Sequence, residues 1–201
     1  GFAILLHASD LRFCFLEFIA AARFETSQGI GGALYERVRE ECLLLGARGL
    51  FYECLPDDPN EVSDRKAYLQ NVARLRFYER YGARPIANTE YHKPARPGDI
   101  ERRYLVCDDL GTGRALRRDE GRAIVRAIRE RAYPHMCSPS YIDAVVRSIK
   151  DDPVQLRPYR YGTSEAVHGV PLRAPDAPRI LMMVNDKHDI HHVRERGYVE
   201  A

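Results

Sequence analysis

A chain of 201 residues, 45% of them hydrophobic, has enough apolar material for one complete domain with a core plus an appendage. Its formal net charge of +2 is too small to imply a nucleic-acid or membrane partner, and no apolar run approaches membrane-spanning length. Cys14, Cys42, Cys54, Cys107 and Cys137 are odd in number, scattered mostly among apolar neighbours and without a C-x-x-C pair, so they read as buried thiols in a reducing cytoplasm.

Taken in chain order, Phe2 to His7 and Phe13 to Ala22 are apolar runs on either side of Ala8-Ser9-Asp10-Leu11-Arg12, and they predict two hairpin-connected strands. Thr26-Ser27-Gln28-Gly29-Ile30-Gly31-Gly32 follows. A helix then places Leu34, Val38, Cys42 and Leu45 on one stripe and stops at Gly46. Gly49 to Leu55, bounded by Pro56-Asp57-Asp58-Pro59, predicts a buried strand parallel to the one before the helix, which completes a right-handed crossover. After a polar loop from Asp57 to Arg65, a second helix carries Leu69, Val72, Ala73, Leu75, Phe77 and Tyr78 and closes on Gly82, with Pro85 beyond. Pro85 to Tyr91 and Arg103 to Cys107 are the last strands of this core.

Past residue 110 the character changes. Residues 111 to 150 carry nine Lys/Arg against four Asp/Glu, a surplus that suits a solvated helical face. Asp119 to Tyr133 repeats apolar residues at Ile124, Ile128 and Ala132, and Ser138-Pro139 is a helix start for Ile142, Val145, Val146 and Ile149. Asp152 to Pro178 reads as a linker and Arg179 to Val184 as one more strand. The fold class is therefore α/β, with a core over 1–110, Arg-rich helices and a Pro-rich linker over 111–178, and a last segment over 179–201.

Glycines at 29, 31 and 32 let backbone approach an anion closely, and the helix that begins there directs unpaired N–H groups and its positive dipole end at the same point. A glycine turn made for packing, or one holding a nucleotide phosphate, fits the same residues, but the Lys-Ser/Thr of a P-loop and the spaced acid of a dinucleotide site are missing. Strand, glycine turn, helix, strand and then Asn71-Val72-Ala73-Arg74-Leu75-Arg76-Phe77-Tyr78-Glu79-Arg80-Tyr81-Gly82-Ala83 resembles the GNAT superfamily of acyl-CoA-dependent N-acetyltransferases over about residues 1 to 108. Thr26 to Gly31 looks like that family's [QR]-x-x-G-x-[GA] cofactor motif, with Thr26 where Gln or Arg is usual. The family's opening strand and substrate-gripping helices have no counterpart here.

The resemblance implies a mixed central sheet flanked by helices, whose strands at Phe13 to Ala22 and Gly49 to Leu55 splay apart to admit acetyl-CoA as cosubstrate. It implies that the backbone of Ile19, Ala20 and Ala21 bonds the pantetheine arm, that the amides of Gln28, Gly29, Ile30, Gly31 and Gly32 hold the pyrophosphate, and that Asn71 touches the cofactor. Tyr78 matches the family's general acid, which protonates the departing thiolate. The acceptor is an amine on a protein lysine, a polyamine or a small molecule, and it attacks the thioester directly. Such an amine arrives protonated, and Glu17, which interrupts the apolar run Phe15-Leu16-Glu17-Phe18-Ile19, is the candidate base; a carboxylate there lies either at a functional cleft or on a solvated sheet face. The alternative is a non-catalytic module of the same kind that senses acyl-CoA.

His188, Asp189, His191 and His192, near Asp186, lie in a predicted loop without helical register or a cysteine partner, and read as surface histidines rather than a metal site. Arg179 to Ala201 resembles the opening of histone-deacetylase-like amidohydrolase domains that are joined to an acetyltransferase in some bacterial proteins. With the chain opening at Gly1 inside a strand, this predicts a native polypeptide that extends in both directions.

Overall fold

The computed structural model describes residues 1–20, 30–94, 102–162 and 181–185. They form a mixed α/β chain in the order β1 (Phe2–Ala8), β2 (Phe13–Ala20), α1 (Ile30–Leu44), β3 (Leu50–Cys54), α2 (Arg65–Glu79), β4 (Arg84–Pro85), β5 (Tyr104–Asp108), α3 (Arg118–Ala127), α4 (Pro139–Ser148) and β6 (Leu181–Asn185). Two compact units divide these elements, one comprising Gly1–Leu50 with β6, the other beginning at Phe51.

In the first unit β1 pairs antiparallel with β2 and parallel with β6. Phe13, Cys14, Phe15 and Leu16 are all buried, as expected of a strand covered on both faces. The buried stripe of α1 is Leu34, Tyr35, Val38 and Cys42; Leu45, expected on it, lies beyond the helix end and is half-buried. Gly46 adopts φ +73°, which allows the Ala47 N–H to return to the Cys42 carbonyl (2.9 Å) and the Gly46 N–H to that of Leu43 (2.9 Å). The chain then runs beside the start of β2: the Arg48 N–H donates to the Arg12 carbonyl (2.7 Å) and the Cys14 N–H to the Gly49 carbonyl (3.1 Å). Residue numbers rise together on both sides, the parallel arrangement that a helical crossover produces.

In the second unit the strand order is β3-β5-β4, with β4 antiparallel to β5. Asp64 caps α2 by accepting the Lys66 N–H (2.8 Å), and Gly82, at φ +85°, closes it. The helix buries Asn71, Leu75, Tyr78 and Glu79. This corrects the apolar stripe read from the sequence, because Leu69 is 54% exposed and Ala73 is exposed too. Two polar residues take the inward positions because both find partners there, described below.

α3 and α4 bury Ile124, Val125, Ile142, Val145 and Val146 and lie within this unit. The expected helix over Asp119 to Tyr133 ends as α3 at Ala127 and widens into one π-helical turn, Ile128–Ala132. Ser138 caps α4 by accepting the Tyr141 N–H (3.2 Å), with Pro139 in the first turn, as its sequence predicts. The first part of the expected linker is also packed. The Val154 N–H donates to Leu116, the Ala87 N–H to Gln155 and the Arg157 N–H to Pro85, each at 2.8 Å. That docking shortens the strand expected over Pro85 to Tyr91, since only Ile86 bridges onward, to Leu156, before Asn88 at φ +53° turns the chain.

Candidate functional site

Register places Glu17 at a β-bulge. Leu5 pairs with Leu16 and Ile4 with Phe18, which leaves Glu17 as the extra residue of β2. An inserted residue breaks the alternation of a strand and bends it, and here Glu17 and Phe18 in succession are both exposed. Its exposure is compatible with both environments that its sequence allowed. Ile19 pairs with Ala3 and Ala20 with Phe2, both half-buried at the end of the hairpin. Ala21, Gln28 and Gly29 lie outside the described residues. Ile30, Gly31 and Gly32 form the opening of α1, whose first turn contains no acidic residue. A Cβ added at Gly31 would meet no heavy atom of a described residue within 4 Å, and Gly31 has an ordinary φ.

Asn71 and Tyr78 belong to the second unit. Asn71 is buried, and its Nδ2 donates to the Pro56 carbonyl (2.8 Å), so its amide ties α2 to the segment leaving β3. Tyr78 is buried with its ring against Tyr52 (centroids 4.5 Å apart) and Phe77 (5.2 Å). Burial first, and then the neighbouring Cys54, push the Tyr78 phenol above its ordinary range, while Arg74 pulls it down. The Cys54 thiol is itself pushed up to about 12, chiefly by burial. Both groups therefore keep their protons at neutral pH. Tyr78 can donate a hydrogen bond there, but giving up its proton is more uphill than for an ordinary phenol.

Two acid-centred clusters in this unit escaped the sequence reading. Glu53, on β3, has a side chain 5% exposed and accepts from four groups: the Tyr91 hydroxyl (2.7 Å) and Arg129 Nη1 (3.3 Å) on Oε1, and the Tyr133 hydroxyl (2.9 Å) and Arg103 Nη1 (3.3 Å) on Oε2. Arg129 sits in the π-helical turn with its guanidinium 3.8 Å from the Tyr91 ring centroid. Asp57, fully buried just past β3, accepts from Arg157 Nη1 (2.7 Å) and the Tyr161 hydroxyl (2.5 Å). Burial pushes its carboxyl up, but the bonds from Arg157 and Tyr161 and the charges of Arg157 and Arg160 outweigh this and hold it below the usual range. Glu79 accepts the Arg160 N–H (3.1 Å), the Tyr161 N–H (2.9 Å) and Arg157 Nη2 (3.4 Å). The signal in the sequence was an acid inside an apolar run, Phe51-Tyr52-Glu53-Cys54, the same signal that singled out Glu17.

Among the described residues no group of three or more His, Cys, Asp or Glu could hold a metal ion, and no helix is long and apolar enough to cross a membrane. His188, Asp189, His191 and His192 lie outside those residues, as does the stretch after Asn185 that carries the deacetylase resemblance. Cys14, Cys42, Cys54 and Cys107 are buried and Cys137 is half-buried, none in a disulfide. No protein-family model, curated protein or solved structure matches the chain.

Proposed function

We propose that the chain is the cofactor-binding part of an acyl-CoA-dependent N-acetyltransferase of GNAT type, with acetyl-CoA as cosubstrate and an amine as acceptor. The observation that carries this reading is the opening of α1. Glycine at 31 is required neither by strain nor by an atom of the described residues, and it costs helix stability. No carboxylate in the first turn opposes an anion at that end of the helix. A helix that opens on glycines, with no carboxylate in its first turn, suits a pyrophosphate. The bulge at Glu17 and the element order from β1 through β5 support the same reading.

In this reaction the amine nitrogen attacks the thioester carbonyl, the C–N bond forms as the C–S bond breaks, and the acetyl group leaves coenzyme A for the amine. Glu17, exposed and acidic, is the group proposed to take the ammonium proton; Tyr78 is proposed to supply the proton that the thiolate needs. The buried thiols suit a cytoplasmic setting. A second reading, a module that binds acyl-CoA without turnover beside a fused deacetylase-like domain, is favoured by one observation: burial makes Tyr78 a weaker acid than a free phenol.

Calorimetric titration of the chain with acetyl-CoA and with ATP tests the cofactor. Binding of acetyl-CoA that disappears in a folded Gly31→Glu variant is expected, and a preference for ATP ends the proposal. Incubation with acetyl-CoA and spermidine or polylysine separates the two readings. Tyr78-dependent acetylation marks the enzyme, and binding without transfer marks the sensor.

A further inference from the structure

Within the second unit, the end of α4 and the segment after β4 line an open pocket of about 860 Å³. Its volume is that of a small-molecule site rather than a packing defect. Ile86, Ala144 and Tyr104 supply apolar and aromatic wall, and Arg147, Lys150 and His92 supply basic groups.

The ion pairs around it decide what it attracts. Of the lining residues only Glu90 is acidic, and Lys93 already pairs with it at 2.8 Å. Nearby Asp151 accepts the Asn88 amide (2.9 Å). Arg157, also in the lining, is engaged by Asp57 and Glu79. Among the described residues, Arg147 and Lys150, both exposed, have only longer-range acidic neighbours, Asp143 for Arg147 and Glu90 for Lys150, and no close ion pair with either. Basic residues at a helix C-terminus complement its dipole and cost nothing to place. The dipole does not explain why these two line a cavity whose own acid is already engaged. Arg and Lys side chains at the mouth of a partly apolar cavity match a ligand with an anionic end and a planar or apolar body.

We propose that this cavity binds a small phosphorylated molecule, its phosphate against Arg147 and Lys150 and its body against Tyr104 and Ile86. The site is independent of the acetyl-CoA reading, since its named residues are not those assigned to that cofactor.

The test is a titration of the full chain, followed by backbone-amide NMR, with pyrophosphate, AMP and uncharged adenosine. Pyrophosphate and AMP should move the amides of residues 86–92 and 144–150, and adenosine should not. The R147A/K150A double variant changes exposed positions only, so it should keep the wild-type spectrum elsewhere and weaken both anions by about tenfold or more. Ala144→Trp, which fills the wall without altering charge, should exclude AMP while leaving pyrophosphate. The proposal is overturned if neither anion moves these amides, if the double variant binds as tightly as wild type, or if adenosine binds as well as AMP.

Discussion

Replacing Glu53 by leucine should cost this protein more stability than any single surface change. The carboxylate is 5% exposed and takes four donors, one of them the guanidinium of Arg129, whose own side chain is 10% exposed. Removing one member of a buried ion pair leaves the other charge unpaired out of water, which costs about 3–5 kcal/mol. For a chain of this length that corresponds to a fall in Tm of roughly 6–20 °C, at about 2–4 °C per kcal/mol. Glu53→Gln keeps an acceptor oxygen but turns an NH₂ toward two donors, so a loss of about 1–3 kcal/mol is expected. Leucine at 53 combined with methionine at 129 removes both charges and should recover most of the leucine loss, because an apolar pair of similar volume avoids the desolvation of both ions. Urea unfolding followed by far-UV circular dichroism measures these three variants, Arg129→Met alone and wild type, five proteins in all. The reasoning fails if Glu53→Leu stays within about 0.5 kcal/mol of wild type, the range of ordinary surface changes, or if the double variant is as unstable as the two single losses added.

Asp57 is held below its ordinary range, so the stability it confers is present above about pH 4 and is lost as pH falls through its native value; Asp57→Asn should lower stability at neutral pH and flatten the acid limb of a stability–pH curve. At the other extreme, Tyr78, Tyr91, Tyr133 and Tyr161 are held above the usual phenol range and Tyr104 is pushed up to about 12. The unfolded chain sheds these protons first, near pH 10, so stability falls as pH rises beyond that value. With 12 tyrosines and no tryptophan, ultraviolet absorbance should show five phenols that ionise late and together with the loss of circular dichroism; one smooth transition of all twelve in a still-folded chain would contradict this. Gly31→Ala should raise stability by about 0.5–1 kcal/mol, since the site is open and its φ is ordinary. A loss in thermal unfolding would mean that something fills that space.

The elements most legible in the sequence were those with a local cause. Gly46 and Gly82 end helices where no other residue is as cheap, and Ser138-Pro139 opens one, so each boundary is written in two or three neighbouring residues. The face of α2 was not legible. Counting apolar residues favoured Leu69 and Ala73, whereas the helix turns inward Asn71 and Glu79, whose partners come from Pro56 and from residues 157–161. The acids divide the same way. Glu17 and Glu53 both interrupt apolar strands, yet one is the exposed extra residue of a bulge and the other the buried acceptor of four donors. What separates them is the register of β1 and the position of a tyrosine and an arginine some 80 residues away, neither of which is a local property. The run from Asp152 to Gly162 read as linker because proline and polar groups dominate it, but its backbone bonds to Ala87 and Pro85 are blind to side-chain composition.

The clasp of residues 157–161 on Asp57 and Glu79 also bears on how the chain is made. Asp57 leaves the ribosome 104 residues before Tyr161, its hydroxyl donor, a delay of about 5–20 s at ordinary rates of translation. Once Glu79 has followed Asp57, the nascent second unit has two carboxylates that belong in its interior and neither Arg157 nor Tyr161 to receive them, so β3 and α2 cannot close against each other without stranding charge. The unit is therefore built to mature late, when residues 157–161 emerge, and a polypeptide cut short near residue 150 should stay open and be cleaved readily by protease rather than fold in part.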